Sequence, residues 1–204
     1  WIIENDWLEC IVSLPDQLFF NTGISTYVWI VSNKKSGVRK GKIQLIDGSS
    51  FFKSMKKNLG EKSKEIPDEG REIILQHYLK FEENEFCKIY PNNFFGYTKV
   101  TVEQPLIENG QVKIDKNGNP KPDSSKRDYE RVPLSEDIEE YFDREVKPHL
   151  PDSWMDNSKY KVGYEINFTK YFYQYKPLRS LGEISQDLLR LDKETEGLMK
   201  EILV

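Results

Sequence analysis

Three short segments near the start of the chain predict buried β-strands. Residues 10–14 read CIVSL and end at Pro15, and residues 24–32 are rich in β-branched and aromatic side chains. Continuous apolar runs of this length are typical of strands that are covered on both faces. Residues 42–47, KIQLID, follow a polar turn and predict the third strand.

Helical patterns separate and follow these strands. Residues 49–60 predict a helix, because serines at its start can cap it and Gly60 follows its end. Residues 68–81 predict an amphipathic helix, and residues 134–150 predict another with a capping serine. The first nine residues, WIIENDWLE, are interpreted as the last turns of an amphipathic helix. The inner face of the second helix is expected to carry Ile73, Ile74, Tyr78 and Phe81.

The intervening segments are predicted to be extended or irregular. Residues 87–106 are β-rich, and the stretch YTKVTVE within them alternates with period two. Residues 107–128 are dense in Gly, Asn and Pro, which predicts an exposed hairpin or a long insertion. Residues 162–179 form an aromatic-rich extended segment. The whole pattern favours an α/β sheet at the start, followed by a mixed α+β region.

The last segment, residues 180–204, has the clearest periodicity and predicts a helix that begins with a capping box at Ser180 and Glu183. Its apolar positions step by three and four residues, which makes a heptad seam with one weak position at Thr195. The seam suits either a partner helix or the chain's own core, and the spacing does not separate the two. The proposed subunit-interface positions are Leu181, Ile184, Leu188, Leu191, Leu198 and Ile202.

Composition excludes several classes of protein. The chain has 204 residues, of which 37% are hydrophobic and 31% charged, so a packed core is expected under a strongly charged surface. Its two cysteines, Cys10 and Cys87, have no metal-ligand spacing, and we expect reduced structural thiols in an intracellular protein. No apolar run is long enough to cross a membrane.

Positive charge is concentrated in one block. Residues 34–64 contain ten Lys and Arg residues but only two acidic ones, although the whole chain has a net charge of −4. Such a block suits a phosphate backbone, but taken alone it more often forms an ordinary solvated surface. The candidate DNA phosphate contacts are Lys34, Lys35, Arg39 and Lys40.

Catalytic and metal-binding patterns are missing from the sequence. His77 and His149 have no nucleophile motif near them and are interpreted as structural. The stretch IDKNGNP has Pro120 where a calcium loop needs glycine, so it predicts a turn. The chain contains no G-x-G cradle. We therefore expect no catalytic residue and no metal site in this chain.

Phe19 and Phe20 are large apolar rings in PDQLFFNTG, a loop of turn residues that follows the first predicted strand. Ligands of open α/β sheets bind beyond the carboxyl ends of the strands. Adjacent residues of an extended segment point in opposite directions, so one ring can anchor the loop while the other faces a cleft. The rings can stack on an extruded base, or both can simply plug the end of the sheet.

Four stretches of the chain together resemble the modification (methyltransferase) subunit of type I restriction–modification systems. They are IENDWLECIVSLPDQLFFNTGISTYVWIVSNKK, GKIQLIDGSSFFKSMKKNLGEK, FGYTKVTVEQPL and VGYEINFTKYFYQYKPLRSLGEI. They occur in the family's order and cover most of the chain, with the weakest likeness over residues 107–128.

The resemblance implies a DNA adenine-N6 methyltransferase that uses S-adenosylmethionine. In that family a Gly-containing turn binds the cofactor and an Asn/Asp-Pro-Pro-aromatic motif holds the target amino group. Neither motif occurs in this sequence, so the resemblance implies a C-terminal fragment that is inactive by itself. Phe19 and Phe20 match the family's base-stacking position. Asn21, Thr22 and Gly23 would shape the loop.

The resemblance also implies a domain layout and partners. Residues 1–48 would be the last strands of a Rossmann-like methyltransferase domain, residues 49–179 a mixed α/β region, and residues 180–204 the helix for subunit contact. The expected partners are DNA, a specificity subunit, a second modification subunit and, as a further candidate, a restriction subunit, all in the prokaryotic cytoplasm. The alternative function is a non-catalytic assembly or DNA-binding module that contacts a specificity subunit.

Overall fold

A computed structural model describes residues 1–175 and 177–202, with the backbone alone for residues 196–202. The chain divides into two compact units, Trp1–Phe172 and Tyr173–Val204. The strands are β1 (Leu8–Ser13), β2 (Tyr27–Val31), β3 (Lys42–Asp47), β4 (Lys53–Leu59), β5 (Lys62–Glu65), β6 (Cys87–Pro91), β7 (Gly96–Glu103), β8 (Ile107–Glu108), β9 (Gln111–Val112), β10 (Asp128–Pro133), β11 (Trp154–Met155) and β12 (Lys161–Tyr164). The helices are α1 (Asp68–Lys80), α2 (Ile138–Tyr141), α3 (Phe168–Phe172) and α4 (Leu181–Ile202).

The first sheet has the strand order β2-β1-β3-β6. Strands β1 and β3 are parallel, whereas β2 and β6 run antiparallel to their neighbours. The three strands predicted in this part of the chain are confirmed. The protein is therefore a mixed α/β fold, as the sequence predicts.

Both faces of β1 are buried because the sheet is covered on its two sides. Leu8 and Ile11 pack with Phe168 on one face, and Cys10 packs with Cys87 on the other. Leu8 and Ile11 share a face because a bulge between Leu8 and Cys10 adds one residue to β1. Burial raises the pKa of both thiols, which keeps them protonated.

Strand β2 differs from its prediction as a buried strand. Within the described residues it pairs with β1 alone, so it forms an edge of the first sheet. Four of its five side chains are exposed: Tyr27, Val28, Trp29 and Val31. The apolar run correctly indicated a strand, but burial of a strand depends on what covers it and not on its composition.

The helix predicted over residues 49–60 is wrong. Strands β4 and β5 pair there as an antiparallel hairpin, which turns at Gly60 with a φ of +61°. The apolar spacing of this segment does fit a helix. Hydrogen bonds to other parts of the chain override such local preferences, and pairing with β5 supplies them here.

Helix α1 confirms the amphipathic helix predicted over residues 68–81. It ends at Phe81, which adopts the left-handed conformation with a φ of +53°. Ile74 and Tyr78 face the core beside β1, as predicted. Ile73, which was also predicted to face inward, is exposed.

A second sheet has β7 at its centre, paired with β10 on one side and with β11 and β12 on the other. The hairpin β8–β9 confirms an exposed hairpin in residues 107–128. The helix predicted over 134–150 is shorter. Asp137 caps α2 by accepting hydrogen bonds from two backbone N–H groups, and a π-helical turn at Phe142–Val146 ends it before Pro148.

The two ends of the chain give opposite outcomes. The helix predicted for the first nine residues is wrong, because hydrogen-bonded turns precede β1 there. Helix α4 confirms the predicted C-terminal helix, and Ser180 and Glu183 form the capping box. The segment over 162–179 is extended only as far as β12 before α3 forms.

None of the described helices combines the length and apolarity that a bilayer crossing requires.

Candidate nucleic-acid interface

The loop between β1 and β2 holds both phenylalanines at the surface. Phe19 and Thr22 form an isolated bridge that closes a tight turn. Asn21 occupies the left-handed region in this turn, with a φ of +58°, and asparagine tolerates that conformation better than most residues. Phe19 is 47% exposed and Phe20 is 65% exposed, so neither ring is a plug buried in the sheet.

The β4–β5 hairpin holds this loop in place. The Gln17 carbonyl oxygen accepts hydrogen bonds from the Ser63 and Lys64 N–H groups at 3.1 and 3.3 Å. The Ser63 hydroxyl donates to Gln17 Oε1 at 2.6 Å, and Lys64 forms an ion pair with Asp16. The loop therefore has a defined shape that depends on residues more than 40 positions away.

Phe20 rests on the turn of the hairpin. A Cβ atom placed on Gly60 would lie 3.1 Å from Cε2 of Phe20 and 3.2 Å from Oδ1 of Asn21. The positive φ favours glycine there, and a Cβ at this distance would also require Phe20 or Asn21 to move slightly. Phe20 therefore lies against the turn of the hairpin, although it is the more exposed of the two rings.

The four cations predicted to contact DNA phosphates divide into two pairs. Lys34 and Lys40 are exposed. Lys35 and Arg39 are both only 7% exposed. Burial removes the second pair from any phosphate that approaches from solvent, so the structure corrects the prediction for these two residues.

Lys35 is engaged by the start of the chain. Its Nζ lies 2.6 Å from Oδ1 of Asp6 and 2.7 Å from the carbonyl oxygen of Lys42. Burial acts to raise the pKa of the Asp6 carboxyl, but hydrogen bonds from Lys35, Asn92 and a backbone N–H outweigh it, so the pKa is lowered. Lys35 therefore ties the N-terminal turns to β3.

Arg39 joins α1 to the sheet. Its guanidinium lies between the rings of Tyr78 and Phe81, 4.3 and 4.5 Å from their centroids. It donates to Gln44 Oε1 at 2.9 Å and lies 3.4 Å from Oε1 of Glu9. Burial and a hydrogen bond to Glu9 raise the pKa of Tyr78 to about 12. Glu9 faces this cluster from the bulged start of β1.

The β4–β5 hairpin adds exposed cations beside the loop. On the helix predicted for this segment, the same side chains would have pointed in different directions around the helix axis. Lys53 pairs with Glu65 across the strands at 3.2 Å. Lys56 and Lys57 are exposed and, in the part of the chain described with side chains, have no acidic partner within 4.0 Å. Four residues of β4, Met55–Asn58, stand opposite the single residue Ser63, so both lysines lie on a bulge.

The other residues that were considered as catalytic or metal-binding candidates have structural contacts. His77 Nδ1 lies 3.2 Å from the Asn84 amide nitrogen, and its ring stacks with Phe51. Asp115 accepts hydrogen bonds from the N–H groups of Asn117 and Asn119, which confirms the predicted turn. Among the described residues there is no group of three His, Cys, Asp or Glu side chains that could hold a metal ion.

The seam of α4 is exposed where its side chains are described, at Leu181, Ile184, Leu188 and Leu191. Leu198 and Ile202, the last two predicted interface residues, lie outside the residues whose side chains are described. Thr195 donates its hydroxyl hydrogen to carbonyl oxygens of the preceding turn, which fits its weak place in the seam.

Comparison with known proteins identifies the family. The model of the family described as N-6 DNA Methylase matches residues 1–103, which include the first sheet, the phenylalanine loop and the hairpin. The chain belongs to the N-6 DNA methylase family. This finding confirms the family resemblance carried by the sequence stretches.

Named relatives agree with the family assignment. The type I restriction enzyme MjaIX methylase subunit of Methanocaldococcus jannaschii is 28% identical over 159 residues, which covers 73% of this chain and 27% of the relative. The MjaVIII methylase subunit of the same organism is 32% identical over 88 residues, or 43% of this chain and 15% of the relative. This N-6 DNA methylase chain thus spans less than a third of either relative.

One solved structure is also similar. It is the methyltransferase subunit of the type I restriction–modification system from Streptococcus thermophilus, with 24% identity and a TM-score of 0.40. The match covers 46% of this chain and 19% of that one.

Proposed function

We propose that the complete protein is the modification subunit of a type I restriction–modification system and methylates the N6 amino group of adenine in DNA. Membership in the N-6 DNA methylase family and the methylase-subunit relatives support this function. The main support for a role of this chain in holding the target base is the pair of exposed rings beyond the carboxyl end of β1. The methyl donor of the proposed reaction is S-adenosylmethionine.

Phe19 is the proposed base-stacking ring. An enzyme that modifies a base in a duplex must extrude that base and hold it, commonly on an aromatic face. We assign the stacking role to Phe19, which is 47% exposed, because Phe20, although 65% exposed, lies against the hairpin turn at Gly60. Asn21, Thr22 and Gly23 are proposed to shape the turn, in which Thr22 bridges to Phe19 and Asn21 lies beside Gly60.

The exposed lysines around this loop are the proposed phosphate contacts. Lys34 and Lys40 remain candidates from the predicted set, and Lys56 and Lys57 join them because the hairpin touches the loop directly. A base that is extruded from a duplex carries two flanking phosphates with it. Cations beside the stacking ring would neutralise these phosphates and fix the register of the DNA backbone.

Strands β1, β2 and β3 are the proposed last strands of a Rossmann-like methyltransferase sheet. The parallel pair β1 and β3 supports this assignment. The edge strand β2 also supports it, since further strands of the same sheet could pair with its free edge, and elements packed on the faces of that sheet would cover its exposed apolar side chains. The domain layout of 1–48, 49–179 and 180–204 remains part of the proposal.

We propose that this chain does not hold S-adenosylmethionine by itself, because its sequence contains no G-x-G turn. At the carboxyl ends of β1 and β3, the Gly48 N–H donates to the Ser13 carbonyl oxygen at 3.0 Å. A Cβ on Gly48 would lie only 2.7 Å from that oxygen, so glycine permits this hydrogen bond, which continues the ladder of the parallel pair. In this proposal the cofactor is held by parts of the complete protein other than this chain.

Helix α4 is the proposed contact with other subunits. A narrow seam of leucine and isoleucine at heptad spacing suits packing against a partner helix. The specificity subunit is the first proposed partner, and a second modification subunit and a restriction subunit are the others. The exposure of the described seam residues supports an interface.

The proposed reaction predicts a specific product. When the complete protein is incubated with its specificity subunit, DNA and the cofactor, N6-methyladenine is expected in the DNA digest. Mass spectrometry of the nucleosides separates this product from methylated cytosine. Methylation found only on cytosine would overturn the proposed adenine specificity.

The missing G-x-G turn predicts that the 204-residue chain does not bind S-adenosylmethionine by itself. Calorimetric titration is expected to show no heat of binding up to about millimolar cofactor, where binding free energies fall to about 4 kcal/mol. The complete protein, titrated in the same buffer, serves as the positive control. Micromolar binding by the chain would show that it contains a cofactor site.

A further inference from the structure

Three cations lie in one row across the second sheet. In the strand register Arg131 of β10 stands opposite Lys99 of β7, and Lys99 stands opposite Lys161 of β12. Directly paired residues of antiparallel strands project to the same face, about 4.5–5.5 Å apart at Cβ. Three positive charges are therefore held side by side on neighbouring strands.

Such a row is unfavourable for folding alone. Like charges placed directly opposite each other destabilise a sheet, whereas opposite charges stabilise it. The same protein shows the favourable arrangement in its hairpin, where Lys53 stands opposite Glu65. Of the three cations in the row, Arg131 has an acidic partner, Glu165. In the described part of the chain, neither of the two lysines has one within 4.0 Å.

Tyrosine rings border the row on the same face. Tyr97 and Tyr129 each lie two residues from a member of the row on the same strand, so they project to the same side. The Lys99 Nζ lies 3.8 Å from the centroid of Tyr129, and the Arg131 guanidinium carbon lies 5.1 Å from that of Tyr97. The tyrosine rings thus position two of the cations, while Tyr129 remains half exposed.

Gly163 makes room for one of these rings. It stands opposite Tyr97 in the register, and a Cβ there would lie 2.7 Å from the Tyr97 ring. The ring therefore lies across the strand instead of standing away from the sheet. The face combines a flat aromatic surface with a line of cations, which are the two elements that bind sugar–phosphate chains and their bases.

We infer that this face of the second sheet binds the phosphate backbone of DNA, with Lys99 and Lys161 as contacts. DNA is the occupant because the proposed function supplies it as the substrate; to that extent the inference rests on the proposed function. A line of phosphates would neutralise the repulsion along the row. Three strands form this surface. Of these, β7 lies within residues 1–103, which the family model matches, whereas β10 and β12 lie after them.

The test is DNA binding by the 204-residue chain without cofactor. Fluorescence anisotropy with a labelled duplex of about 20 base pairs, repeated between roughly 50 and 200 mM salt, gives the slope of log K against log salt concentration. The Lys99→Gln/Lys161→Gln double variant is expected to reduce the magnitude of that slope by about 2, since each phosphate contact contributes about 0.9.

A matched variant separates a local effect from the change in net charge. Lys113→Gln/Lys116→Gln removes the same two charges from the exposed β8–β9 region and is expected to keep the wild-type slope. Equal losses in both variants, or a wild-type slope in the Lys99 and Lys161 variant, would overturn the inference. A wild-type slope in the Lys99→Gln/Lys161→Gln variant would favour an acidic protein surface as the partner of this face. Circular dichroism establishes that each variant is folded.

The outcome is independent of methylation. Binding is measured without cofactor, so an inactive enzyme does not affect the slope. Conversely, if the complete protein methylates adenine while the row variant binds DNA normally, the proposed function stands and this surface is excluded.

Discussion

Arg39→Met is expected to lower the free energy of unfolding by about 3–5 kcal/mol, because it leaves a buried carboxylate without its cation. The side chains of Arg39 and Glu9 are only 9% and 10% exposed, so water screens neither charge effectively. The substitution also removes the cation between Tyr78 and Phe81. Urea denaturation followed by circular dichroism measures the loss.

Two further variants make this prediction specific. Lys40→Met changes the neighbouring exposed cation and is expected to alter stability by less than about 0.5 kcal/mol. Arg39→Met combined with Glu9→Gln removes both charges and is expected to recover part of the loss. A loss below about 1 kcal/mol for Arg39→Met would contradict the structural role and return Arg39 to the phosphate candidates.

Phe19→Ala is expected to lower the methylation turnover of the complete protein by about tenfold to a hundredfold. Stacking of a base on an aromatic ring contributes about 1–3 kcal/mol, and each 1.4 kcal/mol corresponds to about tenfold in rate. The affinity for S-adenosylmethionine is expected to stay unchanged, because in the proposed function the cofactor is held by parts of the complete protein other than this chain. Single-turnover kinetics together with cofactor titration separate the two quantities.

Phe19→Tyr and Phe20→Ala are the matched controls. Tyrosine retains the aromatic face, so Phe19→Tyr is expected to keep most of the activity. Phe20→Ala loses the contact with the Gly60 turn and is expected to have the smaller effect of the two alanine variants. A larger effect of Phe20→Ala would reverse the assignment of the rings. Wild-type rates for both alanine variants would refute the stacking role.

Local signals in the sequence were sufficient for several elements. The amphipathic pattern of α1 and the capping box of α4 predicted helices that the structure contains. The apolar runs around β1 and β3 predicted strands of the right position. These predictions hold because the information lies within a few residues of each element, in side-chain periodicity and in caps.

The candidate site was predictable only in part. Phe19 and Phe20 could be singled out because two rings stood among turn residues, and both are exposed. The block of positive charge in the sequence did not indicate that Lys34 and Lys40 are exposed whereas Lys35 and Arg39 are buried. That distinction depends on acidic partners far apart in the sequence: Asp6 for Lys35, and Glu9 for Arg39.

The sequence by itself determined the family, the positions of the core strands and the two rings of the loop. Only the tertiary structure decided the hairpin at Lys53–Glu65, the edge position of β2 and the row formed by Arg131, Lys99 and Lys161. The physical reason is the same for all three. Strand pairing and burial are set by residues distant along the chain, so no local pattern contains the information that selects them.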